Sequence, residues 1–203
     1  ETLDLLREGF KSTTSNQMLK LGILTGRSYK NARHKFAELN LPEPAVWICR
    51  AGTEIYYGID SQQDLEWQSS IAIDWDRKSV VNSLENLTDH LELQDDEQQS
   101  LYKVSYLVKQ PGDSILPVVR KRLRQEGCAA LPHLRCHWYL DVIPLRASRS
   151  EAIRYLALRW GLCLEQIFVV ASQQGDSELL TGLTTTLIPS NHDSSLESFR
   201  NQK

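Results

Sequence analysis

LGILTGRSYKNARHKFAELN, Leu21 to Asn40, joins two hydrophobic patterns within a short span. Leu21–Thr25 is an apolar run that ends at Gly26, and SYKNARHKFAELN then sets Ala32, Phe36 and Leu39 on one helical face. The spacing predicts a strand, a tight turn and a helix. Pro42 and Pro44 interrupt the chain, after which AVWIC (Ala45–Cys49) reads as a second short buried strand and GTEIYYG as a third. Strands and helices alternating at this spacing predict a parallel sheet covered on both faces. The far end of the chain repeats the pattern. SRSEAIRYLALRWG is a helix opened by a Ser N-cap and closed by Gly161, IFVVAS is a strand, a Gly175-Asp176 loop follows, and TTTLIP is a last strand before a polar tail.

The middle has another character. From Ile59 to about Ser100 it is rich in Asp, Gln and Ser, with one helical segment near Lys78 to Leu91 and a mobile stretch expected at LQDDEQQS. LYKVSYLV then alternates as a strand, ILPVVRKRLRQEG forms an amphipathic helix ending at Gly127, and CHWYLDVIP reads as a further strand. Antiparallel strands with helices on one side suit a small α+β lid. The expected organisation is a discontinuous α/β core, residues 1–56 and 148–203, around an inserted α+β lid, residues 57–147. The first twenty residues, with Leu3, Leu6 and Phe10 at helical spacing, are expected to be helical.

Composition bounds the function. Of 203 residues, 41% are hydrophobic and 24% charged with net charge -3, which suits a globular protein with a packed core. The slight acidic excess offers no general attraction to nucleic acid or to an anionic membrane, and the basic run Arg120–Arg124 reads as the solvated face of a helix. No apolar stretch approaches the roughly 20 residues of a membrane span and no signal-peptide pattern opens the chain, so the expected location is cytoplasmic. Cys49, Cys128, Cys136 and Cys163 lack CxxC spacing, and three of them have apolar neighbours that suit buried, reduced thiols. His133, Cys136 and His137 could approach a metal only if HLRCHWYLDVIP were not one strand, since neighbours on a strand point to opposite faces.

Ligands of open parallel sheets sit at the carboxyl ends of the strands. Three loops qualify: Thr25-Gly26-Arg27-Ser28, the helix start Ser148-Arg149-Ser150, and Gly175-Asp176-Ser177. A hydroxyl with helix-start amides can hold phosphate oxygens, a guanidinium can clamp them, and a carboxylate can hold magnesium. Taken singly, Thr25 is equally a strand end, Arg149 a surface charge and Asp176 a loop cap.

ILTGRS, a distant basic residue before a helix, and strand-GDS, in that order, resemble the second, third and fourth motifs of the haloacid dehalogenase superfamily of magnesium-dependent phosphatases. ILTGRS, AGTEIYYG, WDRKSV, YKVSYLV and LDVIPLRASRSEAIRYLALRWG together resemble the sucrose-phosphatase family and the phosphatase-like C-terminal domain of sucrose-phosphate synthases. Ala147-Ser148-Arg149-Ser150, in place of a Gly-Lys-Gly context, favours the synthase version. The resemblance implies an α/β fold, a haloacid dehalogenase-like parallel-sheet core with an inserted α+β cap domain. It implies that Thr25, with Gly26, binds a phosphoryl group, that Arg149 stabilises its charge, and that Asp176 is a Mg2+ ligand. Lys103 and Glu54 fall at positions that face the sugar phosphate in the family, where the lid closes over the core and excludes water.

The superfamily's chemistry needs an aspartate nucleophile and a second aspartate acid/base in an Asp-x-Asp motif. LDLLREGF offers Asp4 alone, and counting back puts the missing strand just upstream of Glu1. Leu180 stands where the fourth motif ends in Asp, with Glu178 nearby as a substitute, and one carboxylate holds magnesium poorly. Three readings follow: a weak or inactive sucrose-6-phosphate-phosphatase-like accessory module of a sucrose-phosphate synthase that binds sucrose 6-phosphate; an active magnesium-dependent phosphatase whose Asp-x-Asp strand precedes this sequence; and a non-catalytic interaction module. In the first, the glycosyltransferase domain of the same protein is the partner and lies upstream.

Overall fold

The computed structural model describes residues 8, 20–58, 60, 62–182 and 184–197. Apart from Glu8 and Lys20, the helix expected over the first twenty residues, Asp4 included, lies outside the described residues. The chain divides into two compact units, Glu1–Ser70 and Ile71–Lys203, taken here in turn.

In the first unit, β1 (Gly22–Leu24) runs into a turn and then α1 (Tyr29–Glu38), as the Leu21–Asn40 pattern predicts. Ser28 caps the helix, its side chain accepting from the Asn31 amide at 3.3 Å. β2 (Val46–Cys49) lies parallel to β1 in the register Gly22↔Val46, Ile23↔Trp47, Leu24↔Ile48. All four β2 side chains are buried, which is why the strand reads as a continuous apolar run. Trp47 anchors the packing, with Phe36 edge-on at 4.9 Å between ring centroids and Tyr29 at 5.8 Å. β3 (Glu54–Tyr57) corrects the expectation of an all-parallel sheet, because it pairs antiparallel with β2. Residues 50–53 are too few for a parallel crossover, which takes a dozen or more. β4 (Gln62–Gln63) continues the antiparallel edge, and α2 (Leu65–Ile71) follows.

The second unit opens with α3 (Arg77–Leu84), capped by Asp76, whose carboxylate accepts from the Lys78 amide at 2.9 Å. The expected helix to Leu91 stops seven residues early, in a short helical turn at Glu85–Leu87, and Leu91–Leu93 is instead strand β5. LQDDEQQS, expected to be mobile, is tied down. Its Asp96–Gln98 segment makes a helical turn, and the Gln99 side chain donates from Nε2 to the carbonyls of Gln94 and Ser105 at 2.8 and 2.9 Å while its Oε1 accepts from the Ser105 backbone amide.

β6 (Val104–Val108), α4 (Ile115–Gln125), β7 (Ala130–Arg135) and β8 (Tyr139–Pro144) complete an antiparallel sheet in the order β5-β6-β8-β7. The period-2 alternation of β6 sends Val104, Tyr106 and Val108 into a core with Val80, Val119 and Leu140. Ile115, Val119 and Leu123 recur at helical spacing on the buried stripe of α4, while Arg120, Lys121 and Arg124 stay exposed.

HLRCHWYLDVIP is two strands rather than one, joined through Cys136–Trp138, with Cys136 and His137 both left-handed at φ 51 and 60. Hairpin loops usually signal themselves through Gly, Asn or Asp at such positions, and none is present here. Burial of the thiols differs from expectation too. Cys49 is buried and Cys128 half-buried, whereas Cys136 and Cys163 are exposed; all four are free.

The face of the sheet turned away from α3 and α4 carries a buried ionic network. Lys103, 1% exposed, donates from Nζ to Ser105 Oγ at 2.6 Å and to Asp141 Oδ1 at 3.2 Å. Ser105 Oγ donates to the same Asp141 oxygen at 2.6 Å, and Arg135 Nε takes the other at 2.9 Å. Burial by itself would raise the Asp141 carboxyl, but the charges of Lys103 and Arg135 and the bonds from Ser105 and Lys103 outweigh it and hold the group below the usual carboxylate range.

α5 (Arg149–Trp160) begins at Ser148, whose Oγ accepts from the Glu151 amide at 3.1 Å, and ends at Gly161 in the left-handed conformation, φ 64. β9 (Phe168–Val170) and β10 (Thr185–Leu187) form a parallel pair. Val169 is buried between neighbours that stand exposed, Phe168 at 64% and Val170 at 65%.

Two outcomes are expected. Asp141→Asn lowers stability by about 3–5 kcal/mol at neutral pH, because it leaves the Lys103 ammonium buried without its counter-charge. The folded pKa lies below the ordinary value of about 4. The carboxylate's contribution is therefore complete above that value and is lost as pH falls through the folded pKa. The gap between wild type and variant in urea titrations narrows in acid, and a gap independent of pH contradicts this account. Gly161→Ala costs about 1 kcal/mol from the left-handed backbone alone, since a Cβ there meets nothing within 4 Å; an unchanged urea midpoint contradicts that.

Candidate functional site

In the first unit, the parallel strands β1 and β2 end at the same edge, so the loops that leave them are neighbours. Two backbone bonds tie those loops together, Arg50 N to Arg27 O at 2.9 Å and Ala51 N to Thr25 O at 3.1 Å. Thr25 closes the end of β1, its amide donating to Ile48 O at 2.9 Å and its hydroxyl accepting from the Arg27 amide at 3.2 Å. Gly26 lies in the turn between them. Arg50 and Ala51 are left-handed, at φ 47 and 62, conformations that cost free energy in non-glycine residues and cluster at functional loops. Glu54 is largely buried and engaged, by Arg50 Nε at 3.2 Å and the Tyr56 hydroxyl at 3.2 Å. Cys49 is no nucleophile here, because burial and the Glu54 carboxylate push its thiol up to about 12.

In the second unit, the start of α5, the loop after β9 and the polar face of the antiparallel sheet converge. Arg149 is 6% exposed and donates from Nη1 to the Gly175 carbonyl. A Cβ at Gly175 would sit 3.2 Å from both Arg135 Cγ and Arg149 Nη1, so a larger residue there needs one of these side chains to give by a few tenths of an ångström. Asp176 is the cap of its own loop, with Oδ2 accepting from the amides of Ser172 and Gln173 at 3.0 Å each, and its Oδ1 lies 3.9 Å from Arg149 Nη1. Glu178 accepts from the Arg149 amide at 3.2 Å and the Ser150 hydroxyl at 3.5 Å. Arg149 and Asp176 are thus neighbours, as the order of their motifs suggests.

Lys103 does not stand open at this site. Its ammonium is committed to Ser105 and Asp141, which makes it part of the floor. His133, considered from sequence only as a metal ligand, lies on the same polar face, since Pro132 and Leu134 on either side of it turn to the buried side of β7. Burial pushes its imidazole pKa down, against Glu178, which raises it. Ser105, Arg135 and Asp141 were also missed. Their signal is faint but present in the sequence: single polar residues at alternate positions of VSYLV, ALPHLR and YLDVIP.

The donor set does not by itself suit a divalent cation. Magnesium takes several oxygen ligands at short range, yet the Asp176 and Glu178 carboxylates serve as caps and a guanidinium stands beside Asp176. Among the described residues no group of three or more His, Cys, Asp or Glu side chains is placed to hold a metal. No helix among them is long and apolar enough to cross a membrane.

The structure resembles that of the sucrose-phosphatase from Synechocystis, solved in complex with sucrose and phosphate, with a TM-score of 0.89 at 23% identity over 98% of this chain and 80% of that one. A haloacid dehalogenase-like hydrolase protein from Bacillus subtilis superposes with a TM-score of 0.68 at 19% identity, over 97% of this chain and 76% of that one. The fold is accordingly haloacid dehalogenase-like, a mixed α/β architecture. In sequence, the chain is 31% identical to a probable sucrose-phosphate synthase 1 from Craterostigma plantagineum over 74% of its length and 16% of the relative. It is 29% identical to the sucrose-phosphate synthase of Zea mays over 92% of its length and 20% of that protein. The chain therefore spans a fifth or less of these relatives. The model of the sucrose-6F-phosphate phosphohydrolase family matches residues 1–203, and the chain belongs to that family.

Proposed function

We propose that the chain is a sucrose-6-phosphate-phosphatase-like module of a sucrose-phosphate synthase, weak or inactive as a hydrolase, that binds sucrose 6-phosphate or a related sugar phosphate. Arg149 carries the reading: a buried guanidinium beside a helix start and a glycine-bearing loop is built to hold an anion. In this reading Thr25 and Gly26 bind phosphate oxygens, Glu54 supports the saccharide, and residues 57–147 act as the lid of a core made from 1–56 and 148–203. Lys103 contributes by holding Asp141 and Ser105 in place more than by direct contact. Weak or absent hydrolysis is supported by Asp176 and Glu178, which accept backbone N–H groups where a phosphatase would turn carboxylates to a metal, and by Leu180 in the last place of the fourth motif. Mg2+ at Asp176 belongs to the alternative of an active phosphatase and needs carboxylates beyond those described. The likeness to synthases supports a glycosyltransferase domain of the same protein as partner, with sucrose biosynthesis in the cytoplasm as the setting.

Calorimetric titration with sucrose 6-phosphate, beside a phosphate-release assay with and without magnesium, tests this. Binding is expected, weakened roughly tenfold to a hundredfold by Arg149→Ala, the range for a charge-assisted hydrogen bond. Phosphate release is expected to stay at background. Magnesium-dependent release abolished by Asp176→Asn instead establishes the active phosphatase, and absence of binding leaves only a non-catalytic interaction module.

A further inference from the structure

Trp75 to Lys78 open the WDRKSV stretch and Tyr102 opens YKVSYLV, and the candidate site draws on none of them. The second unit brings them together around a cavity of about 570 Å3, lined also by Asn82 and Leu101. It opens at the start of α3, on the helix side of the antiparallel sheet, whereas Arg149 and the loop after β9 lie over the opposite face. The aromatic wall is fixed in place. Trp75 packs against the core formed by α3, α4 and the sheet, and its indole Nε1 donates to the Leu101 carbonyl at 2.9 Å. Tyr102 follows Leu101, which is 64% exposed. The cations are less committed. Arg77 donates from Nε to the Ser100 carbonyl at 3.2 Å, which leaves both Nη atoms, like the Lys78 ammonium, without a hydrogen-bond partner among the described residues. Asp76 is the one acid in the lining among the described residues, and both its oxygens are occupied, by the Lys78 amide at 2.9 Å and the Ser79 hydroxyl at 2.6 Å. Two cations therefore face the cavity against one carboxylate spent on capping.

We propose that this cavity binds a nucleoside phosphate, with the base against Trp75 and Tyr102 and the phosphate at Arg77 and Lys78. Simpler occupants satisfy only half of the lining. An inorganic anion leaves the aromatic surface wet, an apolar ligand strips water from Arg77 and Lys78 without replacing it, and a divalent cation meets two positive charges and a carboxylate already engaged. A flat ring joined to an anion satisfies both halves. Bases of any sequence stack on aromatic side chains, a guanidinium and an ammonium hold phosphate oxygens, and the Asn82 amide offers a donor and an acceptor to the edge of a base. The volume falls within the range of small-molecule and cofactor pockets. A free nucleotide suits the cavity better than a strand of nucleic acid, because a net charge of -3 gives the chain no attraction to a polyanion. The proposal does not rest on the sugar-phosphate reading, which concerns Arg149 and the other face of the sheet.

Calorimetric titration of the chain with ADP and with UDP, beside pyrophosphate and adenosine, tests this. At least one of the two nucleotides is expected to bind, with pyrophosphate and adenosine weaker by on the order of tenfold or more, since each keeps only part of the contacts. Lys78→Glu is expected to weaken the nucleotide about tenfold by reversing a charge at the phosphate. That variant should keep the wild-type thermal midpoint or exceed it, because Lys78 is exposed and an acid in the first turn of α3 is favoured by the helix dipole. Tyr102→Leu is expected to lose about as much affinity through the missing stacking face. Saturating sucrose 6-phosphate should leave the nucleotide affinity unchanged. The proposal is overturned if neither nucleotide binds, if pyrophosphate binds as tightly as they do, if either substitution leaves the affinity unmoved, or if sucrose 6-phosphate displaces the nucleotide. None of these results touches the sugar-phosphate reading, and a chain that binds a nucleotide but no sucrose 6-phosphate keeps this proposal and loses that one.

Discussion

Asp141 has no exposed surface, and a carboxylate in that position must be matched or the sheet around it does not hold. Lys103 and Ser105 match it from β6 and Arg135 from β7, so one buried charge ties β6, β7 and β8 to a single register. A slip of one residue in any of them would turn its polar side chain into the packed core and its apolar ones outward. The network also decides what the other elements can do. With both Asp141 oxygens engaged by two cations and a hydroxyl, the face presents to α5 and the loop after β9 a largely committed floor.

The carboxylates above that floor help to order the backbone around them. Asp176 and Glu178 each accept backbone N–H groups, which fixes the loop and the first turn of α5 against one another through Arg149. Such bonds order the backbone whether or not a cation is near. The chain belongs to a phosphohydrolase family, and in it these two carboxylates accept backbone N–H groups.

Much of this was legible in the sequence because it depends on local signals. Ser28, Ser148 and Gly161 mark helix ends by their own chemistry, and the short apolar runs of β1, β2 and β9 stand out against polar flanks. Arg149 and Asp176 were found by the order of their motifs and are neighbours in space. What escaped depends on pairing between distant segments. The direction of β3 is set by the length of residues 50–53, the β7–β8 turn is made by left-handed Cys136 and His137 without a glycine, and the burial of Lys103 follows from an aspartate thirty-eight residues away. Lys103 illustrates the limit, for a lysine on an alternating strand reads as exposed until its counter-charge is known.

Phe168 and Val170 have one more consequence. Both project from β9, a three-residue strand that pairs with β10 alone among the described residues, and both are mostly open to water. Side chains at alternate positions of a strand share one face of the sheet, so Phe168 and Val170 make a small exposed apolar face. Among the described residues, these two side chains therefore form an apolar spot where another chain or segment can pack.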